Sequence, residues 1–212
     1  ELGLGFYSGS VAVISDAFHT FSAVGGVLIA LVANRIAMRP PGSAHTFGMM
    51  RAEIAGALLN GVFLLLMALY ILWMGYNRLQ TSIELPTGIM FLSAAGGLIT
   101  EFISMGLMWK SLKGNINMKG AFWHVMQTFV GSIIIIVAAL VIQLTGWNPI
   151  DPILGMAFGL VLFWASWGII RESFDILLES APRDVNVEDV IDGLRKIEGV
   201  EDVHHVHAWT LT

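Results

Sequence analysis

Long apolar runs dominate the chain and follow one another at short spacing. Five reach the roughly 20 residues that a helix needs to cross about 30 Å of hydrocarbon. They are Ser10–Met38, Ala52–Tyr76, Thr87–Trp109, Ala121–Leu144 and Pro152–Ile170. Leu2–Tyr7 reads as the end of a sixth. A large soluble bundle also buries apolar helices, but five runs this long and this close together point to lipid. The pattern changes after Pro182. Asn186 can cap a helix over Val187–Lys196, whose Val187, Val190, Ile191 and Leu194 recur at helical spacing. Glu198-Gly199 stops it, and Val200–Leu211 alternates as a strand would. The pattern predicts an all-α transmembrane helical bundle over residues 1–181. It also predicts the start of a small α+β domain over 182–212. Both ends look interrupted, so the chain reads as a fragment.

Composition supports the membrane reading. Hydrophobic residues make up 56% and charged residues only 13%, about half the charged share of soluble domains. The net charge of −5 is a property of the tail, since most of the acids lie between Glu172 and Asp202. No basic cluster suggests a nucleic-acid partner. Cysteine is absent, which excludes a disulfide framework, a thiolate metal site and a catalytic thiol. The cationic residues alternate between loops. Arg35, Arg39 and Arg51 flank the loop after the first full span, and Lys110, Lys113 and Lys119 the loop two spans later. Arg171, Arg183, Arg195 and Lys196 follow the last span, and only Arg78 falls on the other side. The positive-inside rule makes the first three sets, and the C-terminal tail, cytoplasmic.

Ionisable residues inside a span are costly and mark function. Asp16, His19, Glu101 and His124 are the candidates. Asp16 and His19 are three apart and so share one side of their helix. Two imidazoles and one or two carboxylates converging between helices would suit a four-coordinate divalent ion such as zinc, cobalt or ferrous iron. Separate interhelical hydrogen bonds are the competing use of the same residues. The methionines fit packing better than ligation, and Gly25, Gly26, Gly96 and Gly97 fit close helix contact. No His-Glu-x-x-His, Gly-x-Ser-x-Gly or phosphate-loop motif points to an enzyme.

Several runs resemble landmarks of the cation diffusion facilitator family. Ser8-Gly-Ser-Val-Ala-Val-Ile-Ser-Asp-Ala-Phe-His19 resembles its signature. His45-Thr-Phe-Gly48 with Arg51-Ala-Glu53 resembles the next landmark, and Gly120-Ala-Phe-Trp-His124 the start of its fifth helix. Asp151-Pro152 and Glu179 through Pro182 resemble its sixth helix and exit, and Val203-His-His-Val-His207-Ala-Trp209 a cytoplasmic strand. The matches run in order along nearly the whole chain. The resemblance implies a six-helix transporter with helix one truncated here, a ferredoxin-like cytoplasmic domain and a homodimer. It also implies efflux of zinc or a related divalent ion in exchange for protons. The ion is cargo, and no separate cofactor is implied.

The family's zinc site resembles paired His-x-x-x-Asp motifs on helices two and five. His19 and His124 match the histidines, but Ala23 and Thr128 stand where the aspartates are expected. Three readings follow. The site is rebuilt from His19, His124, Asp16 and Glu101; or the ion differs, with Gln127 and Thr128 giving neutral oxygens; or the chain is a transport-inactive dimer partner. The resemblance also suggests accessory cytoplasmic metal positions at His45 and at His205 and His207.

Overall fold

The computed structural model describes residues 2–81, 85–109 and 116–211, with the backbone alone at helical residues 23, 116–121, 123 and 124. Seven helices appear among the described residues: α1 Leu2–Ser8, α2 Val11–Ala37, α3 Ala52–Gln80, α4 Thr87–Trp109, α5 Ile116–Thr145, α6 Ile150–Leu177 and α7 Val187–Arg195. Five are long and apolar enough to cross a membrane, within α2, α3, α4, α5 and α6. The chain is therefore a multi-pass integral membrane protein. The five sequence spans fall on these helices, with Ser10 and Met38 one residue beyond the ends of α2, and α3, α5 and α6 run further than the apolar pattern. α3 continues through Asn77-Arg78-Leu79-Gln80 and α6 runs past Arg171 to Leu177. A helix whose backbone bonds are internal has no reason to end where hydrocarbon ends. At 1.5 Å per residue, α6 is about 42 Å long, more than the hydrocarbon thickness.

The chain forms two compact units, and α2, α3 and α6 contribute to both. The first comprises Glu1–Val24 and Phe63–Ser166. In it, the first half of α2 is central. Ala12 and Val13 join Met90, Ala94, Ile135, Ala138, Ala139 and Ile142 of α4 and α5. Val11, Ile14 and Phe18 join Ala68, Ile71 and Leu162 of α3 and α6. A helix apolar all round is one that is covered all round, and α2 is enclosed here by small and branched residues. α4 packs along α5. The close approach of α5 and α6 to the first half of α2 depends on glycine. A Cβ on Gly155 of α6 would come within 2.8 Å of the Val11 backbone, and one on Gly131 of α5 would strike the Asp16 carboxylate.

The second unit comprises Gly25–Val62 and Trp167–Thr212. Gly56 packs against Ile29 and Ala33, and Gly61 against Ile169 and Ile170. Of the glycines expected at helix contacts, Gly26 meets Asn60, but Gly25 and Gly96 face open space. Arg51 pairs with Glu179 at 2.8 Å and Arg183 with Asp175 at 3.0 Å. Asn186 caps α7 by accepting from the Glu188 N–H at 3.1 Å, as its sequence predicts. The expected strand over Val200–Leu211 does not form among the described residues. A strand needs a ladder partner to satisfy its backbone, and His205 at φ 53° breaks the extended run.

Candidate functional site

The two ionisable residues of α2 lie in the first unit. Asp16 is 4% exposed and points at Gly131 of α5, where the missing side chain leaves room for the carboxylate. His19, one turn on, sets its ring edge-on to Phe158 of α6, with centroids 5.5 Å apart. The shared side of α2 thus divides between two neighbours: the acid meets α5 and the imidazole meets α6. A small cavity opens among the three helices. It is lined by Ala12 and Asp16 of α2, Gly131 and Ile134 of α5, and Leu154, Gly155 and Phe158 of α6.

Glu101 approaches α5 from α4. It is 6% exposed and accepts a hydrogen bond of 3.1 Å from the fully buried Ser132 hydroxyl. Ser132 follows Gly131, so two carboxylates from two helices meet consecutive residues of α5. The hydroxyls around them serve the helix backbones. Thr20 Oγ1 donates to the Asp16 carbonyl, Ser22 Oγ to the His19 carbonyl and Thr128 Oγ1 to the Val125 carbonyl. The Thr128 oxygen keeps its lone pairs and remains an acceptor.

α2 and α5 run antiparallel. Ala12 and Val13 cluster with α5 residues from Ile135 onward, whereas Asp16 meets Gly131. Equal rise along both helices then brings the His19 backbone level with Thr128, and the Ala23 backbone level with His124. Each histidine position stands level with a position where the resembled motif has aspartate and this chain does not. The side chains of His124 and Ala23 lie outside the described residues. Among those described, no three His, Asp or Glu side chains come together as a metal site. Asp16, with the cavity and His19, is the part of the predicted set that the structure brings into one neighbourhood.

The other predicted positions stand apart. His45 is exposed in the loop after α2, where its backbone and that of Gly42 exchange hydrogen bonds of 3.0 and 3.1 Å. His204 and His205 are exposed neighbours with Nδ1 atoms 2.7 Å apart. The left-handed backbone at His205 removes the simple alternation that would set it beside His207. Sequence reasoning missed Gly131 and Ser132. Their signal is faint, because a glycine and a serine in a span look like ordinary packing residues.

The profile of the cation efflux transmembrane domain matches residues 1–178. The zinc transporter ZitB of Escherichia coli is 35% identical over 207 residues, 97% of this chain and 66% of that protein. The cation efflux system protein CzcD of an Alcaligenes species is 35% identical over 208 residues, 98% of this chain and 66% of its own length. A cadmium, cobalt and zinc/H(+)-K(+) antiporter of Bacillus subtilis is 30% identical over 210 residues, 98% of this chain and 68% of the relative. The chain thus spans about two thirds of the length of these relatives.

Proposed function

This chain belongs to the cation efflux family, and on that premise we propose that it exports a divalent metal ion, zinc first, in exchange for protons. Its carrying observation is the buried Asp16 beside the α2–α5–α6 cavity, with His19 one turn further along α2. A carboxyl oxygen and an imidazole close together between helices are what a divalent ion of intermediate softness takes. His124 on α5 and Glu101 on α4 complete the proposed transport set, with Thr128 available as a neutral oxygen. The names of the relatives, which carry zinc, cobalt and cadmium, support that class of cargo.

Proton exchange follows from the ligands. An imidazole binds metal only when neutral, and free histidine titrates near pH 6.5. A proton arriving from the far side competes directly with the ion for the same nitrogen. The wider reading has residues 1–181 as the transmembrane domain and 182–212 as the start of a ferredoxin-like cytoplasmic domain. The protein works as a homodimer in the lipid bilayer, with His45, His205 and His207 as accessory metal positions.

The test is flux from proteoliposomes under an imposed pH gradient, with zinc, cobalt, manganese and ferrous iron offered separately. Metal flux that vanishes in a His19→Ala, His124→Ala double variant supports the proposal and identifies the ion. Unchanged flux in that variant removes both imidazoles from the mechanism. The second reading is a transport-inactive dimer partner, favoured by Ala23 and Thr128 at the usual aspartate positions. It gains the ground if folded, dimeric protein carries none of the four ions.

A further inference from the structure

The break between α1 and α2 is held more completely than a membrane turn requires. Gly9, at φ 66°, ends α1, and its N–H donates to the Gly5 carbonyl at 2.8 Å. The Gly9 carbonyl accepts from the Arg78 guanidinium at the end of α3. The first turn of α2 would normally present free N–H groups. Here Val13 N–H donates to the Ser10 hydroxyl oxygen at 3.2 Å. Val11 and Ala12 N–H donate to the Asp151 carboxylate at 2.7 and 3.3 Å, and the Ser10 hydroxyl donates to it as well. Asp151 opens α6 and is fully buried. One carboxylate from one helix therefore caps the end of another.

The place of this contact matters more than its strength. One turn along α6, Gly155 lies against Val11 and Ala12 with no room for a Cβ. The Asp16 cavity begins there, since Ala12, Leu154 and Gly155 form its wall. The Asp151–Ser10 contact and the Gly155 approach together seal α2 to α6 between the cavity and the α1–α2 turn. A cavity that carries an ion must open to each side in turn, and parting α2 from α6 would open this one toward the turn.

We propose that the Asp151–Ser10 clasp is a latch that shuts the Asp16 cavity at the α1–α2 end, and that Asp151 is a positioning residue for the transport cycle. Its bonds are charge-assisted but few and local, as a reversible closure needs. The inference rests on the efflux reading for its purpose. The closure itself can be measured without any transported ion.

The sequence contains no cysteine, so single thiols can be introduced. Ile134→Cys places one in the cavity wall, and Ser166→Cys places one at a fully buried position of α6 beyond the cavity as seen from the turn. Protein in proteoliposomes is treated with a membrane-impermeant maleimide from the side of the α1–α2 turn. Asp151→Asn turns one acceptor oxygen into a donor facing other donors. It should raise labelling of Ile134→Cys at least about tenfold, the scale of losing a charge-assisted hydrogen bond, and leave Ser166→Cys unlabelled. Ser10→Ala removes one donor and keeps the carboxylate; it should give a smaller rise and serves if Asp151→Asn does not fold. Equal labelling in the latched and unlatched backgrounds overturns the latch. So does a parallel rise at Ser166→Cys, which would make the clasp a folding contact. Absence of metal flux in the unsubstituted protein would count against efflux and leave the labelling result standing.

Discussion

At the residue scale, Asp16 depends on what its neighbour lacks. Its carboxylate occupies the space where Gly131 has no Cβ. Gly131→Ala should push that carboxylate out of place, at an overpacking cost of about 1–3 kcal/mol, and lower metal flux at least about tenfold. Gly96→Ala is the matched control, since a Cβ there meets nothing within 4 Å, and it should leave flux unchanged. Equal effects from the two alanines would show that helix propensity, and not the Asp16 position, is being measured. Glu101 calls for the opposite treatment. Its bond from Ser132 joins α4 to α5, so Ser132→Ala leaves a buried carboxylate short of a donor and should destabilise the protein by about 1–3 kcal/mol. A thermal-shift assay checks it, and no shift would mean that Glu101 finds another donor.

At the element scale, α2 organises the first unit because both of its faces are buried by different neighbours. Arg78 shows how its start is held. It is the one cation that the charge pattern leaves on the wrong side, and the structure has it donating to the Gly9 carbonyl. Arg78→Ala should cost about 1.5–3 kcal/mol of stability, the range for a hydrogen bond from a charged donor. Arg78→Gln should restore part of it, as read by thermal unfolding in detergent. The spans were legible in the sequence because lipid imposes a length and a composition that few other environments share. The α7 cap at Asn186 was legible for the local reason that its bond spans two residues. The glycine contacts were not. Gly25 and Gly96 look the same in sequence as Gly131 and Gly155, and only the opposing helix decides which one is crowded. The strand expected over Val200–Leu211 does not form among the described residues, because alternation marks a side-chain pattern, while a strand exists only through a partner's backbone. Asp16 and His19 stand out in the sequence because charge in a span is conspicuous. Asp151 drew notice only as part of a resembled motif, because its role as the cap of a distant helix is invisible until α6 meets α2.

At the scale of the whole molecule, the distribution of cations predicts an orientation, and Arg78, which donates to the Gly9 carbonyl, is the exception to it. Arg35, Arg39 and Arg51 flank the loop between α2 and α3, and Arg171, Arg183, Arg195 and Lys196 follow on α6 and beyond it. Counting membrane-capable helices from the α2–α3 loop to the α5–α6 turn gives three, which is odd, so the two must face opposite compartments. Ser43→Cys in the first and Asn148→Cys in the second, each as the sole thiol of the protein, should label from opposite sides of intact cells. Ser43→Cys should react only after the membrane is opened, and Asn148→Cys directly with an impermeant reagent. Labelling from the same side would mean that one of α3, α4 and α5 does not cross. The reverse assignment would move the Asp16 cavity's latched end to the cytoplasm, and the direction of metal movement would have to be reconsidered with it.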